Sequence, residues 1–260
     1  MPIGVSLSPC LPVSPPRAII LAMRKRALWW LGGALGGAAL LYWQVIVAEG
    51  AYLGPWAVRI VYGLGARHYD SVRAEGQFAA DSALPPLLAA GLAGVARPSV
   101  LDVATGTGRV PLILCAEPQF AGSLAAIDLT PHMLAQARRK QLATGSSPPI
   151  GWLVGKAGAL PWPDACFDMV ICLEALEYFP RPGCALAEMA RVLRPGAALL
   201  ISTWPDGWAR LLPGRAFSAA ALQRELSALG CIDLVVYPWQ HGNYNLVAAR
   251  KAPLSPNPVN

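Results

Sequence analysis

Residues 27–48 form an unbroken uncharged run, ALWWLGGALGGAALLYWQVIVA, apolar apart from Gln44. Roughly 20 apolar residues are enough to cross the hydrocarbon core of a bilayer. Arg24, Lys25 and Arg26 precede the run, and Trp29, Trp30, Tyr42 and Trp43 stand towards its two ends, where interfacial aromatics belong. The pattern predicts a membrane-spanning helix. A signal peptide has a shorter apolar region followed by a small-residue cleavage site. Here the apolar character continues through Gly50–Gly65, interrupted only by Arg59. Gly32, Gly33, Gly36 and Gly37 give one small-residue face. Residues 51–66 are expected to lie in the interface as a return segment, so 27–66 is read as an anchor. Residues 1–26 read as a basic, Pro- and Ser-rich tail, with Met23 as an alternative start to Met1. Arg59, Arg67 and Arg73 offset the basic cluster before the span, and the rest of the chain is expected on the cytoplasmic side.

Past Tyr69 the periodicity changes. Short apolar runs of strand length alternate with longer stretches of helical period, which is the pattern of an α/β domain with a parallel sheet. Strands are expected at Ser99–Val103, Leu124–Asp128, Trp152–Lys156, Phe167–Leu173, Ala197–Thr203, Ile232–Tyr237 and Tyr244–Ala249. Helices are expected at Leu84–Leu92, Val110–Cys115, Pro131–Leu142, Gly183–Leu193 and Ser218–Leu229, with a turn at Arg194–Gly196. The count gives a seven-stranded, mostly parallel sheet with helices on both faces, spanning 67–252, and a disordered tail at 253–260.

Composition changes this picture little. Hydrophobic residues make up 55% and charged ones 14%, more apolar than an ordinary soluble domain, as a membrane segment requires. The net charge of +6 is spread along the chain. With no long Lys/Arg run it fits an anionic membrane surface better than nucleic acid. The six cysteines, Cys10, Cys115, Cys166, Cys172, Cys184 and Cys231, include no C-x-x-C pair and have no His at ligand spacing. They are read as reduced core thiols, and no metal is expected.

Chemistry concentrates where the first predicted strand ends. Asp102-Val-Ala-Thr-Gly106-Thr-Gly108 leads into a helix. Glycines there let the backbone turn tightly and approach a ligand, and the helix N-terminus offers free N–H groups to a carboxylate. Asp102 is placed to meet an ammonium group. Asp128 ends the second strand, 20 residues after Gly108, where an acid accepts hydrogen bonds from ribose hydroxyls. A dinucleotide fingerprint would need a third glycine at the position held by Pro111, which argues against a nicotinamide-dependent oxidoreductase.

Three segments in order resemble one family. VLDVATGTG (Val100–Gly108) resembles the first motif of class I S-adenosylmethionine-dependent methyltransferases. LPWPDACFDMVIC (Leu160–Cys172) is similar to the segment entering their fourth strand. LAEMARVLRPG (Leu186–Gly196) looks like the helix and turn before their fifth. The style is that of the ubiquinone/menaquinone-biosynthesis enzymes and their small-molecule relatives, over roughly Tyr69–Lys251. The resemblance implies a Rossmann-like domain with S-adenosyl-L-methionine as cofactor and a small-molecule or lipidic acceptor. It implies that Asp102, Ala104, Gly106 and Gly108 surround the methionine part. Asp128 would hold the ribose with Leu129 and Met133 nearby, Ala157 would lie beside adenine, and Leu173 would face the cofactor. One departure stands out. The family commonly has Gly-Asp-Ala where this chain has Gly155-Lys156-Ala157, and a lysine has donors only, so it cannot accept a bond from the adenine amino group.

Methyl transfer from a sulfonium depends mainly on alignment, and a base helps only where the acceptor must lose a proton. Glu174, Glu177 and Tyr178 follow the fourth strand and are weak candidates, although acids at a helix start have a structural reading too. His68, Tyr69 and His241 are weaker still. Trp204–Phe217, with Trp204, Trp208, Leu211 and Leu212, is expected as a small apolar lid for a lipidic substrate. The competing reading is a membrane-tethered protein that binds S-adenosylmethionine without catalysis.

Overall fold

A computed structural model describes residues 17–74, 82–145 and 148–254. Cys10, the first 16 residues of the N-terminal tail and 255–260 of the C-terminal one lie outside the described residues. The chain divides into two units, 1–46 and 47–260. In the first, helix α1 (Arg17–Tyr42) continues into a π-helical turn, Trp43–Val47. Among the described residues one helical stretch, Met23–Val47, is long and apolar enough to cross a membrane, with a mean hydropathy of 1.4 and no residue of that window buried.

The second unit opens with a 3-10 turn, Ala51–Leu53, and helix α2 (Pro55–Gly65). Gly50 and Gly54 flank the turn at φ 78° and 97°, backbone angles glycine adopts without a Cβ clash. Pro55 fits the first helical position, where no N–H is needed. The segment was expected to belong to the anchor. One side of it is taken up by the domain: Ala57 and Val58 are buried, and the helix packs on α5 (Pro131–Thr144).

Seven strands form one sheet, β1 (Ser99–Val103), β2 (Ser123–Asp128), β3 (Ile150–Val154), β4 (Phe167–Cys172), β5 (Leu193–Thr203), β6 (Cys231–Trp239) and β7 (Tyr244–Lys251). Their order is β3-β2-β1-β4-β5-β7-β6. The first five pair in parallel, and β7 runs antiparallel to both β5 and β6. Alternate strand residues feed two cores. Leu101, Val170, Leu199 and Val247 meet α6 (Pro182–Val192) and α8 (Ala219–Ala228) through Leu186, Met189, Leu222 and Leu226. Val100, Met169, Leu200 and Leu246 meet α3 (Leu84–Gly91) and α4 (Arg109–Ala116) through Leu88, Val110 and Leu114. Helix α7 (Asp206–Ala209) is a single turn after β5.

Two of the boundaries that differ from the pattern have a visible local cause. β3 begins and ends two residues earlier than expected, because the Gly155 N–H bonds the carbonyl of Asp128 at 2.9 Å and the chain then leaves the sheet. The Arg-Pro-Gly turn lies inside β5. Phe167 pairs with Leu193 but Met169 pairs with Ala198, so residues 194–197 form an irregularity and Gly196 takes φ 79°.

Candidate functional site

In an open α/β sheet, ligands bind beyond the carboxyl ends of the strands where the order reverses. Here that is the junction of β1 with β4. A cavity of about 640 Å³ lies there, within the ~300–1,000 Å³ usual for small-molecule sites.

One wall is the loop after β1. Ala104 and Gly106 take φ 57° and 56°, so two residues in three occupy left-handed conformations, and Ala104 does so with a Cβ. The Thr105 hydroxyl donates to Asp102 Oδ2 at 2.6 Å. The Gly106 N–H donates to Asp128 Oδ2 at 2.8 Å and the Thr130 N–H to Oδ1 at 2.7 Å. Each carboxylate oxygen keeps a further lone pair for a ligand. Both acids are buried. Burial pushes Asp102 up to about 7, with Thr105 and Arg109 opposing it. Burial also raises Asp128, against the bonds from Thr130 and Gly106.

Of the residues implied for the cofactor, Asp102, Ala104, Gly106, Asp128, Leu129, Met133, Ala157 and Leu173 line this cavity, and so does Lys156. Gly108 does not. It sits at φ 80° where a Cβ would come within 2.7 Å of the Trp152 ring and 2.9 Å of Ala137. Its lack of a side chain lets α4 start close against α5 and β3.

The facing wall comes from the chain before the sheet. Pro55, Val58 and Tyr62 of α2 contribute, with Tyr69, Asp70 and Arg73 from the helical residues 69–74. The Tyr62 ring meets Tyr178 edge-on at 5.4 Å and Tyr69 at 6.0 Å, and its hydroxyl donates to Glu49 at 2.6 Å. Asp70 clamps this segment to the loop by accepting from Thr107 at 2.6 Å and pairing with Lys140 at 3.0 Å. Pattern reading missed Tyr62, Asp70 and Arg73. A Tyr-Asp-x-x-Arg spacing, which puts Tyr69 and Arg73 one turn apart, was the available signal.

The candidate bases fare differently. Arg73 bonds both the Tyr69 hydroxyl and Glu174. Arg109 reaches Glu174 Oε1 at 2.8 Å while stacking 5.4 Å from the Trp239 ring, and Gln240 also donates to Glu174. The two guanidiniums hold Glu174 below the usual glutamate range despite its burial, so it is a poor proton acceptor near neutrality. Glu177 is off the cavity wall; it accepts from Trp204 at 2.6 Å and Tyr244 at 3.0 Å, and burial raises it to about 7. Tyr178 lines the cavity with its hydroxyl pushed well up by burial. Tyr69 joins it there, whereas His68 and the exposed His241 do not. The expected lid at 204–217 is corrected as well: none of its residues lines the cavity. Trp204 turns to Glu177 and Leu212 is fully buried.

Residues 101–201 match the methyltransferase domain family. Over those residues the chain carries a methyltransferase domain. It is 40% identical over 106 residues to the demethylmenaquinone methyltransferase of Thermus thermophilus, covering 41% of this chain and 47% of that protein. It is 36% identical over 110 residues to the ubiquinone/menaquinone biosynthesis C-methyltransferase of Roseobacter denitrificans, covering 42% and 44%. The matched region thus spans under half of these relatives. Among solved structures, the [4+2]-cyclase SpnF superposes with a TM-score of 0.65 at 21% identity, over 77% of this chain and 97% of that one. A methyltransferase-like protein of Bacillus halodurans gives 0.55 at 22% identity, over 66% and 99%. These two likenesses concern the fold. The methyltransferase domain therefore places its strand ends, glycine loop and two buried acids around one cavity.

Proposed function

We propose that the chain is a membrane-anchored enzyme that transfers a methyl group from S-adenosylmethionine to a small lipidic acceptor of the quinone class. The observation that carries this is the pair of buried acids on one cavity wall. Burial raises Asp102 to about 7, and the Thr105 hydroxyl and the Arg109 charge offset only part of that rise. An ammonium group beside it would restore the carboxylate. Asp128 has spare lone pairs for two hydroxyls, and Gly106 leaves the loop open, with only a Tyr69 ring atom near a would-be Cβ at 3.9 Å. An amino acid joined to a ribose fits these donors and acceptors.

The residues divide as follows. Asp102 would hold the ammonium, Asp128 the ribose hydroxyls, and Leu129, Met133 and Ala157 the base, with Lys156 beside it. When bound, S-adenosylmethionine supplies an electrophilic methyl on a positive sulfur. The Tyr62, Tyr69 and Tyr178 rings oppose this wall and offer flat apolar surface to a planar acceptor while excluding water. Glu174 keeps its two arginines neutralised and fixes Arg73 over Tyr69, so its role is to position the aromatic wall. The quinone class rests on the names of the relatives, and the lipidic character also on the apolar helix Met23–Val47.

The test is to incubate the full-length protein with methyl-labelled S-adenosylmethionine and a host lipid extract, and to identify the product by mass spectrometry. Label is expected in a lipid-extractable aromatic molecule. Label confined to water-soluble products, or none despite cofactor binding by calorimetry, refutes the reading.

A further inference from the structure

Helix α2 has two faces with different duties. Pro55, Val58 and Tyr62 point to the cavity. Trp56, Ile60 and Leu64, spaced four apart and so aligned on one side of a helix, are 62%, 52% and 81% exposed. Leu53 and Val61 extend the same exposed apolar surface. Isolated exposed apolar side chains are ordinary, but a contiguous row of large ones marks a contact surface.

Three observations identify what covers it. The apolar stretch Met23–Val47 ends eight residues before Pro55, so a bilayer holding that stretch lies within reach of α2. The chain from Gly50 to Tyr69 has no acid and carries Arg59 and Arg67, both exposed, which complements an anionic lipid surface. The outer row is apolar and begins in a tryptophan, a residue favoured at membrane interfaces. The Tyr52 hydroxyl donates to the Pro213 carbonyl at 2.8 Å and Arg215 lies 5.2 Å from the Tyr52 ring. These contacts tie the start of α2 to a segment that exposes Trp208 and Leu211.

We propose that the outer face of α2 docks in the headgroup layer of an anionic membrane, and that the cavity loads its acceptor past this helix. The docking stands independently; the loading rests on the lipidic-acceptor reading above. One helix then serves as both membrane contact and cavity wall, so an acceptor dissolved in the bilayer meets the site without crossing water.

The test uses the full-length chain with Cys10 and Cys184 replaced by serine, reconstituted in phosphatidylcholine vesicles with or without phosphatidylglycerol. Spin labels are placed at Ile60→Cys, Leu64→Cys and, as a water-facing reference on α8, Glu225→Cys. The labels at 60 and 64 are expected to favour collision with oxygen over an aqueous nickel chelate by about tenfold relative to 225, most strongly with the anionic lipid. Chelate access equal to that at 225 overturns the docking. Dipolar broadening between labels overturns it too, because a second copy of the chain would then cover the face. In a second arm, the Ile60→Asp/Leu64→Asp double variant is assayed for methyl transfer to the lipid extract in vesicles. A loss of roughly tenfold in rate at low acceptor, with unchanged cofactor affinity, is expected. Unchanged transfer overturns loading past α2. If the parent protein methylates no lipid, the proposed function fails while the label result still decides the docking.

Discussion

Asp102 offers the sharpest test of the cofactor assignment, because its charge state should differ between the empty and ligand-bound site. Its carboxyl rises from 3.8 to about 7 on folding, chiefly by burial. Below pH 3.8 it is protonated in both the folded and unfolded chain and contributes nothing. As pH rises through the window from 3.8 to about 7, the folded chain retains a proton that the unfolded chain loses, so stability falls. At 1.36 kcal/mol per unit, the penalty is at most about 1.7 kcal/mol at pH 5 and about 4 kcal/mol at pH 7. Asp102→Asn removes it and keeps an oxygen for the Thr105 hydroxyl. Without cofactor, the variant should match the parent in thermal melts near pH 4 and exceed it increasingly up to pH 8. With cofactor the order reverses. An ammonium partner drives Asp102 to its ionised form, so binding at pH 7 should release about half a proton from the parent and none from the variant. Calorimetry in buffers of different ionisation heat reads this directly. Affinity should fall at least about tenfold in the variant, since a bound ammonium would then lack its counter-charge. A binding heat that does not depend on buffer in the parent, or the same proton release in both proteins, would refute the pairing. A variant destabilised at every pH would refute the burial penalty.

Other residues give separate readouts. Gly108→Ala must fit a Cβ within 2.7 Å of Trp152 at a left-handed φ, so thermal melts should show a loss of about 2–5 kcal/mol; an unchanged melting temperature with weakened cofactor binding would instead mean that Gly108 touches ligand. Glu174→Gln leaves Arg73 and Arg109 without their carboxylate and should cost about 3–5 kcal/mol. The stabilisation from Glu174 itself is present above pH 4.5 and is lost as pH falls through its lowered folded value, so acid titration of the melts should show this part flattening in the variant. If the variant folds, the pH profile of methyl transfer should keep its shape, because Glu174 is not the base. Lys156→Asp should tighten cofactor binding by roughly tenfold by restoring an acceptor beside the base; calorimetry showing weaker binding would mean that Lys156 makes a favourable contact of its own.

The centre of the sheet was legible because β1, β4 and β5 bury both faces, so each reads as a run of apolar residues bounded by glycine, proline and polar turns. The Arg194-Pro195-Gly196 turn shows the limit of that reading. Local chemistry called for a break, and the break exists, but β4 and β5 pair on both sides of it and absorb the extra residues as an irregularity. The loop from Asp102 and the acid at Asp128 were legible for another reason. Strand-terminal acids and positive-φ glycines are local features, fixed by backbone geometry at the point where they occur. Gly108 shows a second use of glycine in the same loop: Trp152 and Ala137 stand where its Cβ would be, so packing by itself requires it.

The wall opposite the loop was illegible from pattern because its residues are brought together across long sequence distances. Arg73 meets Glu174 and Asp70 meets Thr107, and no period in either segment announces the other. Residues 50–65 read as a continuation of the membrane run because they are apolar nearly throughout. The distinction lies in phase: Ala57 and Val58 face the protein while Trp56, Ile60 and Leu64 face outwards. A helix apolar on both faces has two uses for that character, one internal and one external, and hydropathy alone cannot separate them. The apolar lid expected at 204–217 failed because composition does not say which side chains the domain uses: none of its residues lines the cavity. Its tryptophan and leucine counts matched the role, but Trp204 has an indole N–H that Glu177 satisfies inside the domain, whereas α2 has aliphatic and aromatic surface left over on the outside. The segment with apolar surface in excess of what the core consumes is the one we propose meets lipid.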